Sequence, residues 1–98
     1  MLIVAGEFRV EPELREEFLR RHETQMRDSR AEAGCIDYVF SADPLEPGRV
    51  VLFERWESQE ALDAHIGALR ARPPSDEPRP AALHREVVRY EVVVSAPL

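Results

Sequence analysis

The sequence predicts a single α+β domain with the ferredoxin-like order β-α-β-β-α-β and an antiparallel sheet. Three observations predict this fold. Four segments alternate apolar and polar side chains with the period of a strand. Two longer segments, one after the first strand and one after the third, repeat apolar residues at helical spacing. Segments rich in proline, glycine and aspartate separate these elements, and 98 residues suit one domain, 1–98.

The first strand is predicted from Leu2 to Val10, with one apolar face that would join the core. Gly6 interrupts that face. A missing side chain at this place indicates either a β-bulge or space left for a ligand. The opposite face of the strand mixes apolar and charged side chains.

The first helix is predicted from Glu13 to about Ala33, and Pro12 fits its first turn, where the missing N–H of proline costs little. Two polar residues, His22 and Ser29, fall near the centre of the arc that should face the core. Buried polar groups need hydrogen-bond partners. His22 therefore either lines a cavity or lies in the core with a hydrogen bond to a neighbouring backbone carbonyl.

The second and third strands are predicted over 35–42 and 50–57, joined by turn residues at 43–48. Gly34, just before this hairpin, is predicted to end the helix in the left-handed region. Both faces of the third strand carry large apolar side chains, so both faces of the sheet should be covered. Helices would cover one face, and a second copy of the chain is the simplest cover for the other.

The second helix is predicted from an N-cap at Ser58 to Arg70. Its apolar stripe consists of Leu62, Ile66 and Leu69. His65 lies beside this stripe, shortly after a strand that carries the tryptophan Trp56, and is the most chemically suggestive residue of the chain. A proline-rich loop over 72–80 could form a flap at a pocket mouth, a short turn is expected over 81–84, and the last strand is predicted over 86–95.

The overall composition excludes several classes of function. A formal net charge of −6 without a basic run disfavours nucleic acid and anionic membranes as partners. The one cysteine, Cys35, rules out an internal disulfide and a site with several cysteine ligands. No signal peptide or membrane span is recognised, so a cytoplasmic protein is expected. His22, His65 and Glu54 lie on separate elements without ligand spacing, and no metal site is predicted.

Three stretches together resemble one known family. They are Ala33-Gly34-Cys35-Ile36-Asp37-Tyr38, the turn residues Asp43-Pro44, and the segment 52–65, which contains Glu54-Arg55-Trp56 and Ala61-Leu62-Asp63-Ala64-His65. On these residues the chain resembles the antibiotic biosynthesis monooxygenase domain family. The resemblance implies a homodimer whose two sheets form an α/β barrel, with a pocket in each subunit between sheet and helices. It also implies oxidation of quinols or aromatic polyketides by molecular oxygen, with neither metal nor flavin.

The resemblance also places the residues of two specialised branches. The haem-degrading branch carries an asparagine, a tryptophan and an axial histidine where this chain has Gly6, His65 and Ser75, so haem degradation is disfavoured. The anthrone-oxidising members carry an asparagine and a tyrosine where this chain has Leu52 and Leu62.

The resulting hypothesis is a cofactor-independent monooxygenase that acts on a quinol, phenol or anthrone-like aromatic. Such chemistry needs a base to form the substrate anion, and histidine is the usual base near neutral pH. His65 and His22 are the candidate bases, with Trp56, Tyr38 and Phe53 as candidate aromatic walls. Simple packing or structural roles remain the alternative for each residue. The alternative function is a non-catalytic or accessory dimer of the same fold that binds a small hydrophobic metabolite.

Overall fold

The computed structural model describes residues 1–74 and 79–98. The four strands are β1 (Leu2–Arg9), β2 (Cys35–Ala42), β3 (Arg49–Trp56) and β4 (His84–Glu91). A 3-10 turn (Pro12–Leu14) leads into α1 (Arg15–Arg21) and α2 (Glu23–Arg30), and α3 (Gln59–Arg70) follows β3. The predicted ferredoxin-like order with an antiparallel sheet is confirmed.

The sheet has the order β2-β3-β1-β4, and every neighbouring pair of strands is antiparallel. β1 therefore lies inside the sheet, while β2 and β4 form its edges. Both helical segments pack on one face of the sheet. The buried apolar residues on this side are Leu2, Val4, Val10, Phe18, Tyr38, Phe40, Val50, Leu52, Trp56 and Leu62.

The structure explains Gly6 in a way that differs from both sequence interpretations. The pairing of β1 with β4 is continuous through this residue, so there is no bulge. A Cβ atom at this position would lie 2.7 Å from Val87 Cα and still closer to the carbonyl oxygen of Glu86. Glycine is therefore required because the β4 backbone passes too close for any side chain.

The bulge of the sheet lies in β2 instead. Cys35 pairs with Trp56 and Asp37 with Arg55, so Ile36 is the extra residue. As a result Ile36 does not share the buried face of Tyr38, as regular alternation along a strand would require, and it is 43% exposed.

The prediction of one long helix to Ala33 is wrong in two respects. The helix breaks at His22, whose ψ of −2° and hydrogen bond to the Leu19 carbonyl tighten one turn. It also ends at Arg30, because the next two N–H groups bond three residues back. Gly34 does adopt a left-handed φ of 81°, but in the turn after the helix rather than directly at its end.

The boundaries of the other elements shift by a few residues. The helix α3 begins as predicted, since the Ser58 hydroxyl accepts a hydrogen bond of 3.1 Å from the Ala61 N–H. β3 starts and ends one residue earlier than predicted. β4 starts at His84, inside the expected turn, and ends at Glu91 rather than Ser95, because the following valines lie outside the ladder.

The second face of the sheet carries no helix in the described parts of the chain. It presents a shallow open surface to which Val51, Phe53, Val88 and Tyr90 contribute apolar groups. Val88 is 39% and Tyr90 53% exposed. Within the described ranges, no helix combines the length and apolar character needed to cross a bilayer.

Candidate functional site

A cavity of about 420 Å³ opens between the helix-facing side of the sheet and the helices. All four strands contribute to its lining, as do α2 and α3. Its apolar wall includes Val4, Phe8, Phe40, Leu52, Leu62 and Val87. An apolar wall with converging polar groups is typical of sites for small organic molecules.

His65 is the most strongly positioned polar residue of this cavity. It lies on α3, is only 2% exposed, and its Nδ1 is 3.0 Å from Glu32 Oε2. An ionised carboxylate only accepts hydrogen bonds, so Nδ1–H donates a hydrogen bond to Glu32. In the neutral imidazole, a proton on Nδ1 leaves the lone pair on Nε2.

A second carboxylate lies on the other side of the His65 ring. Glu54 on β3 is 5% exposed, and its Oε1 is 4.0 Å from Nε2 of His65. The same oxygen accepts a hydrogen bond of 2.8 Å from the indole N–H of Trp56. Burial raises the pKa of Glu54, and the bond from Trp56 opposes that shift.

The rings around His65 fix its orientation. The Trp56 ring lies 4.6 Å and the Tyr38 ring 5.1 Å from the imidazole, centre to centre. The Tyr38 hydroxyl accepts a hydrogen bond of 2.7 Å from the Gln25 side chain. Burial raises the pKa of Tyr38 to about 12, so this phenol stays neutral at physiological pH.

His22 satisfies both interpretations proposed from the sequence. It lines the cavity, and its Nδ1 donates a hydrogen bond of 2.7 Å to the carbonyl oxygen of Phe18. Its ring packs 4.3 Å from the Phe18 ring and 4.6 Å from that of Phe40. Burial lowers the pKa of His22, so its imidazole is neutral and a weaker base than a free one.

The structure brings together only part of the predicted set of site residues. His65, His22 and Tyr38 line the cavity. Trp56 is fully buried behind His65 and supports the site without lining it. Phe53 points to the opposite face of the sheet, because neighbouring residues of a strand alternate sides, and it lines the second surface instead.

The cavity rim is basic. Arg85 and Arg89 on β4 and Arg79 from the predicted flap line its outer part. Residues 75–78 of that loop, with Ser75 among them, lie outside the described residues. The flap itself therefore stays a prediction.

Sequence reasoning gave no role at the cavity to most of its polar residues, among them Glu54, which it considered only as a metal ligand. A carboxylate on the apolar face of a strand was a signal for this position. The position of Arg85 on the core-facing side of β4 was a similar signal. Glu32 and Gln25 gave no such signal, because their roles depend on how the turn after α2 meets α3 and on the packing of α2 against β2.

Among the described residues, no group of three or more His, Cys, Asp or Glu side chains is arranged to hold a metal ion. His22 contacts Phe18 and Phe40 rather than the pair formed by His65 and Glu54.

The chain is similar to known proteins over most of its length. The model of the family Antibiotic biosynthesis monooxygenase matches residues 1–70. The Synechocystis protein named "Uncharacterized protein sll1783" is 41% identical over 65 residues, which are 66% of this chain and 44% of that protein. This chain thus spans less than half the length of that relative. "Putative monooxygenase YcnE" of Bacillus subtilis is 32% identical over 65 residues, which are 66% of this chain and 68% of that protein.

Solved structures share the fold at lower identity. A crystal structure described as a "putative antibiotic biosynthesis monooxygenase" from Deinococcus radiodurans has a TM-score of 0.78 and 20% identity, covering 100% of this chain and 98% of that one. The haem degrader MhuD from Mycobacterium tuberculosis, solved with two haems in its active site, has a TM-score of 0.72 and 18% identity, covering 99% and 100%. At these identities the likeness concerns the fold alone.

The family match covers more than two thirds of the chain, and it contains α3 with His65 as well as β3 with Glu54 and Trp56. The resemblance seen in the sequence is therefore confirmed, and the chain belongs to the antibiotic biosynthesis monooxygenase family.

Proposed function

We propose that this protein is a cofactor-independent monooxygenase that oxidises a small electron-rich aromatic compound, such as a quinol, phenol or anthrone-like molecule, with molecular oxygen. The observation that carries the proposal is His65, a buried imidazole held by one carboxylate and close to a second one at the wall of a mostly apolar cavity. The name of the Bacillus subtilis relative, which describes monooxygenase chemistry, supports the same class of reaction.

The proposed base is Nε2 of His65. Glu32 holds the proton on Nδ1, so the lone pair of Nε2 can take a proton from the substrate. The imidazolium formed in this step lies between Glu32 and Glu54, and both carboxylates stabilise its positive charge. His22 is the second candidate base, and burial lowers its pKa, which makes it a weaker base than a free imidazole.

For a methylene carbon the oxidation balances without an external reductant. The deprotonated substrate passes one electron to oxygen, and the radical pair combines to a peroxide at carbon. The O–O bond and the second C–H bond then break. The outer oxygen leaves as water with the proton returned by His65 and the second hydrogen of the carbon, while the inner oxygen stays as the carbonyl. One methylene group and one oxygen molecule thus give one carbonyl group and one water molecule, and the substrate supplies all four electrons. The apolar walls keep bulk water away from the radical pair while it combines.

Oxygen uptake without added cofactor tests this proposal. The panel contains anthrones, quinols and catechols, and the proteins are the wild type, His65→Gln and the matched control His84→Gln, whose histidine is exposed on the other side of β4. We expect uptake by the wild type, a loss of about 100-fold in His65→Gln because a general base contributes about that factor, and no change in His84→Gln. Uptake that persists in His65→Gln would move the base to His22.

The alternative function is a non-catalytic or accessory dimer that binds a small hydrophobic metabolite in the same cavity. Leu52 and Leu62 support it, since both lie in the cavity where anthrone-oxidising relatives carry polar residues. No uptake above the buffer rate across the panel would favour this alternative. Haem degradation stays disfavoured on the sequence argument.

We also propose that the protein acts as a homodimer in the cytoplasm. The support for the dimer is the second face of the sheet, where Val51, Phe53, Val88 and Tyr90 present apolar groups without a covering helix in the described residues. Burying that face against a second sheet would complete the barrel.

A further inference from the structure

We propose that the substrate of this cavity carries an anionic group, a carboxylate or a phosphate, and that Arg85 and Arg89 hold this group at the cavity rim. The inference deepens the proposed function, since it assigns a substrate class to the same site. It rests on that function only for what happens after binding, because recognition of an anionic aromatic molecule can be measured without any oxidation.

The sheet register directs these arginines into the cavity. Arg85 pairs with Phe8 and Arg89 with Val4, and both partners lie on the helix-facing side of β1. Paired residues of neighbouring strands project to the same side of a sheet. Val87, between the two arginines, projects to the same side and lines the cavity as well.

A charged pair on this side of a strand is unusual, since the alternation of the other strands puts mostly apolar groups there. β4 is an edge strand, so its guanidinium groups can lie at the rim without being buried. Their position therefore costs little desolvation, while their N–H groups remain available to a ligand.

The charge of the lining is opposite to that of the chain. The chain carries a formal net charge of −6. The charged residues of the cavity lining, apart from histidine, are Arg79, Arg85, Arg89 and the carboxylate Glu54. Three guanidinium groups against one carboxylate make the cavity attractive to an anion, although the protein as a whole repels it.

The guanidinium of Arg85 can take a new partner. Its Cζ lies 5.7 Å from the centre of the Phe8 ring, and it forms no ion pair within the described ranges 1–74 and 79–98. Arg89 donates a hydrogen bond of 2.7 Å to Gln59 and one of 3.3 Å to Glu91, whose side chain is 73% exposed. The second contact is weak in water, so a ligand can compete with it.

The distance across the sheet sets the size of the ligand. β3, which carries Glu54, and β4 are separated by β1, so they lie about 10 Å apart. A bicyclic aromatic acid spans such a distance, with its rings against the apolar wall and its anionic group at the rim. Arginine suits this contact because its planar fork donates two parallel hydrogen bonds to a carboxylate or phosphate.

Isothermal titration calorimetry with redox-inert probes tests the inference. The probes are 2-naphthoate, 2-naphthyl phosphate and the neutral 2-naphthamide. The proteins are the wild type, Arg85→Gln, Arg89→Gln and the matched control Arg27→Gln, which removes the same charge from an exposed position on α2. We expect the wild type to bind at least one of the two anions about tenfold more tightly than the amide. Which anion binds more tightly identifies the preferred group.

In Arg85→Gln we expect the affinity for the anion to fall about tenfold and that for the amide to stay unchanged, whereas Arg27→Gln should alter neither. Arg85→Lys keeps the positive charge but cannot donate two parallel hydrogen bonds. Its affinity for the anion should therefore lie between those of the wild type and Arg85→Gln. This variant also tests the inference if Arg85→Gln folds poorly. Three results would each overturn the inference. They are equal affinities for acid and amide, equal losses of affinity in Arg27→Gln and Arg85→Gln, and no binding of any probe at millimolar concentration. None of these results depends on oxygen uptake.

Discussion

Glu54 is a residue of the candidate site whose burial lowers the stability of the fold. Its carboxylate is 5% exposed and is surrounded by the rings that also enclose His65. One hydrogen bond from Trp56 compensates part of the cost of burying its charge. Because burial raises the pKa of Glu54, the folded protein binds a proton more tightly at this carboxyl than the unfolded chain does.

This shift predicts the pH dependence of stability. Between the ordinary carboxyl pKa of 4.5 and the higher folded value, the folded state binds more protons, so Glu54 makes the protein less stable as the pH rises through that window. Glu54→Gln removes the titration and keeps an oxygen that can accept from Trp56. Thermal unfolding gives the melting temperature of Glu54→Gln minus that of the wild type at each pH. We expect this difference to be higher at pH 8 than at pH 5.

The exposed carboxylate Glu60 offers the control. Glu60→Gln, at the start of α3, removes the same charge from an exposed position, so comparison with it isolates the contribution of burial at Glu54. A difference between Glu54→Gln and the wild type that is constant from pH 5 to pH 8 would contradict the proposed shift.

At the scale of elements, two glycines illustrate how local structure positions the site. Gly34 adopts a φ of 81°, and a Cβ there would lie 2.5 Å from that of Ala61 on α3. This close approach holds the turn after α2 against α3, the same turn that presents Glu32 to His65. Gly67 lies on the exposed side of α3, where an added Cβ meets nothing within 4 Å.

The same substitution should therefore have opposite effects at these two positions. Gly67→Ala should raise the free energy of unfolding by up to ~1 kcal/mol, because alanine favours the helix. Gly34→Ala should lower it by about 1–3 kcal/mol through backbone strain, with a further loss from the contact with Ala61. Chemical denaturation of both variants measures the difference, and a stabilising effect of Gly34→Ala would contradict the described turn.

The elements also show how far the sequence could predict the site. The apolar stripe of α3 predicted His65 at the edge of a buried face, and the alternation of β3 put Glu54 and Trp56 on one face of their strand. The break at His22 and the end of α2 at Arg30 were not predictable, since helical spacing continues to Ala33. Because that end decides where Glu32 points, the partner of His65 could not be inferred either.

In the whole molecule, the two faces of the sheet carry different surfaces. The cavity and its histidines lie on the helix side, and the open apolar surface with Phe53 lies on the other. Alternation within β3 dictates this separation, because Phe53 sits between Leu52 and Glu54. The prediction that both faces of β3 need cover followed from the same pattern, whereas the barrel itself stays a prediction.

Light scattering tests the proposed dimer. The wild type should have the mass of two chains of 11.2 kDa each. Phe53→Asp places a charge on the open face and should yield single chains, because an unpaired charge is costly in an apolar interface. Thr24→Asp, at an exposed position on α2, adds the same charge and should leave the dimer intact. A wild type that is monomeric at micromolar concentration would contradict the dimer.

Labelling with ¹⁸O2 measures whether the proposed oxidation in this cavity inserts oxygen into the substrate without a cofactor. The assay uses the substrate of the panel that gives the fastest oxygen uptake and measures the product by mass spectrometry together with peroxide. We predict one ¹⁸O atom in each product molecule, the second in water, and no accumulation of hydrogen peroxide. An unlabelled product formed with one equivalent of peroxide would contradict the claim and assign the cavity to an oxidase. The absence of any turnover would contradict it as well and favour a protein that only binds its ligand.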